Sequence, residues 1–146
     1  MEKQTFKILI EAPKEKVWEI LWSKDTYPLW TAPFGEGSTA ETDWNEGSKA
    51  LFLSAANEGL VSRIAKNVPY EFMSINHLGM IKNGVEDLTS NDVKEWAGCF
   101  ENYTLKQEAG ITNLIIEMDV VEKFQDYFIK TWPKALEKVK DLSENK

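Results

Sequence analysis

The sequence predicts an α+β fold in which one long C-terminal helix lies across the face of a curved antiparallel sheet. Three observations carry this expectation. The stretch from Asp119 to Leu142 places Phe124, Tyr127, Phe128, Trp132, Ala135, Leu136, Val139 and Leu142 at gaps of threes and fours, with Lys and Glu on the other side. Between Gly35 and Asp119 the apolar pattern switches to period two, in short runs separated by turn formers. The elements are also segregated: one strand, two short helices, about six strands, then the long helix.

Each element has its own signal. Phe6, Ile8 and Ile10 alternate with Lys7 and Glu11, which reads as a half-buried strand ended by Ala12-Pro13. Pro13 suits a helix start, and Val17, Trp18, Ile20, Leu21 and Trp22 give an amphipathic helix to about Trp22. Ser23 to Thr31 reads as a second short helical piece that begins near Pro28. Strands are expected at Gly37–Asp43, Ser48–Ala55, Gly59–Asn67 and Tyr70–Leu78, divided by Asn45-Glu46-Gly47, Asn57-Glu58-Gly59 and Asn67-Val68-Pro69. Gly79 to Glu95 is polar and reads as an exposed loop with a helical turn near Ser90–Val93. Trp96–Gln107 and Ile111–Asp119 form a hairpin about Glu108-Ala109-Gly110, with Glu101, Tyr103 and Leu105 on the face shared by Leu114, Ile116 and Met118. For the final helix, Asp119 is the expected N-cap with Glu122 in a capping box. Pro133 lies inside it, but the apolar face continues in phase, so one helix kinked near Ile129–Pro133 is expected rather than two.

Composition narrows the function classes. The 146 residues fit one domain with a real core. A net charge of −7 argues against nucleic acid and anionic membrane surfaces, which both need clustered Lys and Arg. A single cysteine, Cys99, excludes an internal disulfide and a cysteine metal cluster; set beside Phe100 in a strand, it reads as a small buried hydrophobe. No apolar run is long enough for a signal peptide or a membrane span, so a cytoplasmic protein is expected. No motif calls for a cofactor or a metal. Gly35-Glu36-Gly37 is no dinucleotide fingerprint, and Glu86, Asp87 and Asp92 lack the spacing of a calcium loop.

A helix laid across a curved sheet leaves a gap, and such gaps are natural ligand sites. Trp30, Phe34, Phe52, Phe72, Phe124, Tyr127, Phe128 and Trp132 are the candidate aromatic lining, with Glu101, Tyr103, Leu105, Leu114, Ile116 and Met118 from the hairpin face. The same rings would also serve ordinary core packing. Trp18 and Trp22 are read as pins holding the first helix to the sheet. His77, the single histidine, is read as a strand-end side chain making a hydrogen bond rather than as a general base. Glu101 is the sharpest candidate: ligand anchor, catalytic acid, or structural partner of Tyr103 or Arg63. Burial should raise its pKa above about 4.3 unless Arg63 or a lysine reaches it.

Three phrases, IEAPKEKVWEILW, WAGCFENYTLKQEAGITNL and FIKTWPKALEKVKDL, resemble the START-related superfamily (SRPBCC), which includes the birch-pollen allergen fold. Together they are most similar to its heat-shock protein 90 ATPase activator-like branch. The resemblance spans nearly the whole chain and implies a helix-grip fold, with about seven antiparallel strands wrapped around the C-terminal helix and enclosing a cavity. It implies a monomer or homodimer that binds a small hydrophobic molecule, without demonstrated catalysis. Two other functions fit members of the superfamily: a chaperone-associated co-factor, and a cyclase- or hydrolase-type enzyme using the same cavity. The enzyme would need two convergent polar groups there, Glu101 with Tyr103, Tyr127 or His77.

Overall fold

A computed structural model describes residues 1–144 of the chain. The first strand, β1 (Glu2–Ile10), turns Phe6, Ile8 and Ile10 inward as its alternation requires. Pro13 stands as the N-cap of α1 (Lys14–Trp22), which buries Val17, Trp18, Leu21 and Trp22 along one stripe. The short α2 (Tyr27–Trp30) has Pro28 in its first turn, and the Trp30 indole N–H donates to the Leu21 carbonyl at 3.0 Å, tying α2 to α1.

The sheet follows as β2 (Thr39–Glu41), β3 (Lys49–Leu53), β4 (Glu58–Val68), β5 (Phe72–Lys82), β6 (Val85–Asp87), β7 (Phe100–Glu108) and β8 (Ile111–Val120). A short helix, α3 (Asn91–Lys94), sits between β6 and β7, capped by the Ser90 hydroxyl. All pairings are antiparallel, in the order β1-β8-β7-β5-β4-β3-β2, with β6 beside β5. Helices α1 and α2 therefore carry the chain from one edge of the sheet to the other.

Two bulges interrupt the β4–β5 ladder, at Val61/Ser62 and at Ile64/Lys66. A bulge bends its strand and changes which side chains face inward. On β5, Met73, Ile75 and His77 are buried inward-facing residues; past the extra residue, Leu78, it is Met80 that reaches the concave side and Ile81 that joins Leu53 and Val61 in a separate outer cluster.

After a 3-10 turn at Glu122–Phe124, α4 (Gln125–Glu144) runs unbroken through Pro133. It buries Thr131, Trp132, Ala135, Leu136, Val139 and Ser143. At roughly 1.5 Å per residue its 20 residues span about 30 Å. The result is a helix-grip fold: a curved, open antiparallel sheet of eight strands around a long C-terminal helix, with two short helices after the first strand.

Several boundaries differ from the sequence reading. Asp119 caps nothing, because β8 extends to Val120; its carboxylate instead accepts the Phe100 N–H at 3.0 Å. The expected loop at Gly79–Glu95 is partly a hairpin. β5 continues to Lys82, and Asn83 and Gly84 both take positive φ, +52° and +78°, the turn that a two-residue antiparallel hairpin demands. Trp96 to Cys99 is turn rather than strand, with Gly98 at φ +90°, so Cys99 precedes β7, although it is buried as expected.

Candidate functional site

The helix α4 does not lie flat on the sheet along its whole length. Its buried residues begin at Thr131, while Tyr127 and Phe128 ahead of them are only partly covered. Over those first turns the helix stands off the sheet and leaves a cavity of about 490 Å³. Helices α1 and α2 supply Trp22, Tyr27 and Trp30 to its wall; the sheet supplies Phe52, Ile75, His77, Glu101, Tyr103 and Met118; α4 supplies Tyr127, Phe128 and Trp132.

The wall is largely aromatic. Trp22 meets Tyr103 edge-on with ring centres 4.7 Å apart, Phe34 meets Trp132 at 5.0 Å, and Trp30 lies 6.1 Å from Trp132. Such edge-to-face and tilted pairs contribute beyond their buried area. The Trp132 indole N–H points to the Met118 sulfur at 3.1 Å, which fixes that ring. The Trp22 indole N–H is buried and has no partner among the described residues.

One polar chain crosses this apolar setting. The Ser62 hydroxyl lies 2.6 Å from His77 Nδ1, His77 Nε2 lies 3.0 Å from Glu101 Oε1, and the Tyr103 hydroxyl donates to Glu101 Oε2. The topology assembles it. Ser62 faces His77 across β4 and β5, Ile75 faces Glu101 across β5 and β7, and Tyr103 follows Glu101 on the same face of β7. Burial alone would raise the Glu101 carboxyl. The His77 hydrogen bond and charge, with the Tyr103 hydroxyl, outweigh it and hold the group below its ordinary value. The carboxylate is therefore acceptor-only near neutral pH, and His77 Nε2 is the donor toward it. The Tyr103 hydroxyl is pushed up, first by burial and then by the Glu101 charge; Tyr27 is raised by the same two causes.

This corrects two expectations. The Glu101 pKa moves down rather than up, and of its expected partners Tyr103 is present while Arg63 is not, His77 taking the other oxygen. Arg63 neighbours Ser62 on β4 and so turns to the opposite, solvent-exposed face. His77 is not at a strand end, because β5 continues for five residues beyond it. The constellation contains Ser, His and Glu, the types found in nucleophilic triads. Here, however, Ser62 is fully buried and absent from the cavity wall, behind the imidazole. Its hydroxyl is a support for His77, not a nucleophile open to a bound molecule.

The structure brings ten of the sequence-derived candidates to the wall: Trp30, Phe34, Phe52, Glu101, Tyr103, Met118, Phe124, Tyr127, Phe128 and Trp132. Four fall elsewhere. Leu105, Leu114 and Ile116 share the inward face as expected, but they are packed into the core and do not border the cavity. Phe72 begins β5 opposite Thr104 and is likewise off the wall. The sequence reading did not place Trp22 or Tyr27 there, and named His77 only as a second polar group for the enzyme alternative. Trp22 does both jobs: it pins α1 against Tyr103 and presents itself to the cavity. Among the described residues no group of three or more His, Cys, Asp or Glu side chains is arranged to hold a metal ion, and no helix is long and apolar enough to cross a membrane.

No protein-family profile and no curated protein matches the chain in sequence. Solved structures do match it. A protein of Mesorhizobium loti, 16% identical, superposes with a TM-score of 0.77 over 99% of this chain and 98% of its own. The Aha1 dimer from Colwellia psychrerythraea is 18% identical with a TM-score of 0.75, over 99% of this chain and 97% of that one. A protein of Cytophaga hutchinsonii is 21% identical with a TM-score of 0.72, covering 99% and 95%. At these identities the likeness is one of fold. It reaches several helix-grip proteins, the Aha1 among them, and no single branch stands out.

Proposed function

We propose that this chain binds one small hydrophobic molecule in the cavity between the sheet and α4. The observation that carries the reading is the cavity itself: about 490 Å³, walled mainly by aromatic and aliphatic side chains, with the His77–Glu101–Tyr103 chain among its few polar groups. That is the composition of a ligand pocket, mostly apolar with a few placed polar groups. Binding is favoured over turnover because the polar groups are spent on one another. Both imidazole nitrogens of His77 are engaged, and both Glu101 oxygens accept hydrogen bonds. An apolar reporter dye should bind the native chain, and Phe128→Ala should change its affinity. Native mass spectrometry of protein purified from its own host should show a co-purified mass. Well-folded protein that takes up neither dye nor cellular ligand would remove the reading.

The fold likeness to the Colwellia Aha1 dimer supports a second reading, a homodimer or chaperone-associated co-factor working through the outer surface. Leu29 and Ile129, both more than half exposed, are among the apolar residues available to it. That activity would survive complete filling of the cavity, whereas the first would not.

A further inference from the structure

Carboxylates outnumber basic groups on the cavity wall. Glu58, Glu101 and Asp119 border it with no lysine or arginine, and His77, paired with Glu101, is the one basic side chain there. This is not scarcity, since the sequence holds 17 Lys and Arg against 24 Asp and Glu. Glu58 meets its cation, Lys82, at 3.9 Å, but Lys82 itself is off the wall. Asp119 is taken up by the Phe100 N–H. Glu101 pairs with His77 and with no lysine or arginine, and its side chain remains 18% exposed.

The aromatic residues push in the same direction. The face of an aromatic ring is negative and attracts a cation within about 6 Å of its centre. Trp22, Trp30 and Trp132 surround Tyr103, with ring centres 4.7, 6.4 and 6.0 Å from it, and Tyr103 bonds to Glu101. Glu101 stays ionised despite burial, because His77 and Tyr103 hold its pKa down. An anionic ligand would set a second negative charge against it in a setting of low dielectric. His77 gives such a ligand no foothold, since Nε2 faces Glu101 and Nδ1 faces Ser62.

We propose that the cavity selects an apolar cation, an amine or quaternary ammonium on a hydrophobic body, with its charge beside Glu101 and Tyr103. This rests on the ligand-binding reading above and adds the sign of the ligand's charge. The alternative of a fatty-acid-like anion is an outcome of the test.

Three probes with one body and different charge decide it: naphthylmethyl-trimethylammonium, naphthylethanol and naphthylacetate, each titrated calorimetrically into the whole chain. The cation should bind at least about tenfold more tightly than either of the others, a difference of about 1.4 kcal/mol. Glu101→Gln should remove most of that advantage, bringing the ratio of cation to alcohol affinity to within about threefold of one. Equal or tighter binding of the alcohol or the acetate overturns the charge selectivity while leaving the cavity's ligand-binding role intact. If none of the three binds and the apolar dye fails as well, the proposed function falls with it. The wild-type ranking decides alone if the variant does not fold. A variant that folds and keeps the full preference for the cation refutes the part given to Glu101.

Discussion

Replacing Glu101 by glutamine cuts the polar chain at its centre. The carboxylate accepts from two donors, the His77 Nε2–H at 3.0 Å and the Tyr103 hydroxyl. Glutamine keeps the size but loses the charge and has one acceptor oxygen, so it can accept from His77 Nε2–H only if the Tyr103 hydroxyl turns to accept from its amide N–H. A hydrogen bond to a charged group contributes about 1.5–3 kcal/mol, and an orphaned buried donor costs about 1–3 kcal/mol. Turning two charge-assisted bonds into neutral ones, one of them reversed, gives a loss of about 3 kcal/mol near pH 7. With only 18% of the side chain exposed, solvent does little to screen this. For a urea slope of about 2 kcal/mol/M, the unfolding midpoint should fall by about 1.5 M. The pH dependence has a fixed sign. The folded-state pKa of Glu101 lies below the ordinary 4.5, so the stabilisation by the carboxylate is complete above about 4.5 and is lost as pH falls through the depressed folded value. Urea unfolding of wild type and variant at several pH values from about 7 to 3.5 measures both the size and the trend. A variant as stable as wild type near neutrality, or a gap that widens toward acid, would refute the pairing.

Other perturbations separate the parts of the fold. Gly59→Ala should cost about 3 kcal/mol or more, because the new Cβ would sit 1.7 Å from the Phe52 carbonyl oxygen and force β3 and β4 apart. Gly84→Ala meets nothing within 4 Å, and at φ +78° should cost only about 1 kcal/mol; thermal melts of the two variants side by side check the contrast. Trp132→Ala removes a ring 2% exposed that contacts Phe6, Trp30, Phe34 and Tyr103, and should lose about 3–5 kcal/mol in urea unfolding. Burial, then the charges of Glu101 and Asp119, push the Cys99 thiol up to about 11, so iodoacetamide should label the native protein slowly near pH 8 and rapidly in denaturant. Native labelling as fast as in denaturant would place Cys99 at the surface.

Local signals carried much of this architecture, and the losses have physical causes. Alternation along the last hairpin placed Glu101, Tyr103 and Leu105 opposite Met118, Ile116 and Leu114, which is the register observed. That worked because Ala109 and Gly110, both at positive φ, make a tight turn that leaves one pairing. The long helix was legible from its stripe, but its start was set four residues or more too early, since a strand and a 3-10 turn fill 119–124. The Asn83-Gly84 hairpin signal was present in the sequence and lost among polar neighbours. Of the two partners of Glu101, Tyr103 was legible from their shared strand face, and His77 was not. His77 lies 24 residues away on β5, which pairs with β7 although β6 and α3 intervene, and no periodicity encodes that neighbourhood. The bulge beside Leu78 further hides the inward parity that His77 and Met80 share. Leu105, Leu114 and Ile116 were inward as read, but inward includes both core and cavity, and only the lift of α4 divides the two.

The pairing of β1 with β8 also sets the order in which the molecule can be completed. β1 is made early, yet Thr112 closes onto Ala12 across 100 residues of chain. While ribosomes add about 5–20 residues per second, β1 waits with an unpaired edge, and the concave aromatic surface stands open until the last segment emerges. Pairing over such separations is slow even in a complete chain. Under the ligand-binding reading proposed above, a small apolar molecule lodged on that surface during synthesis would be covered when the terminal helix docks. On that reading, protein refolded from denaturant in clean buffer would lack the passenger, and the two preparations would differ in occupancy while sharing every covalent bond.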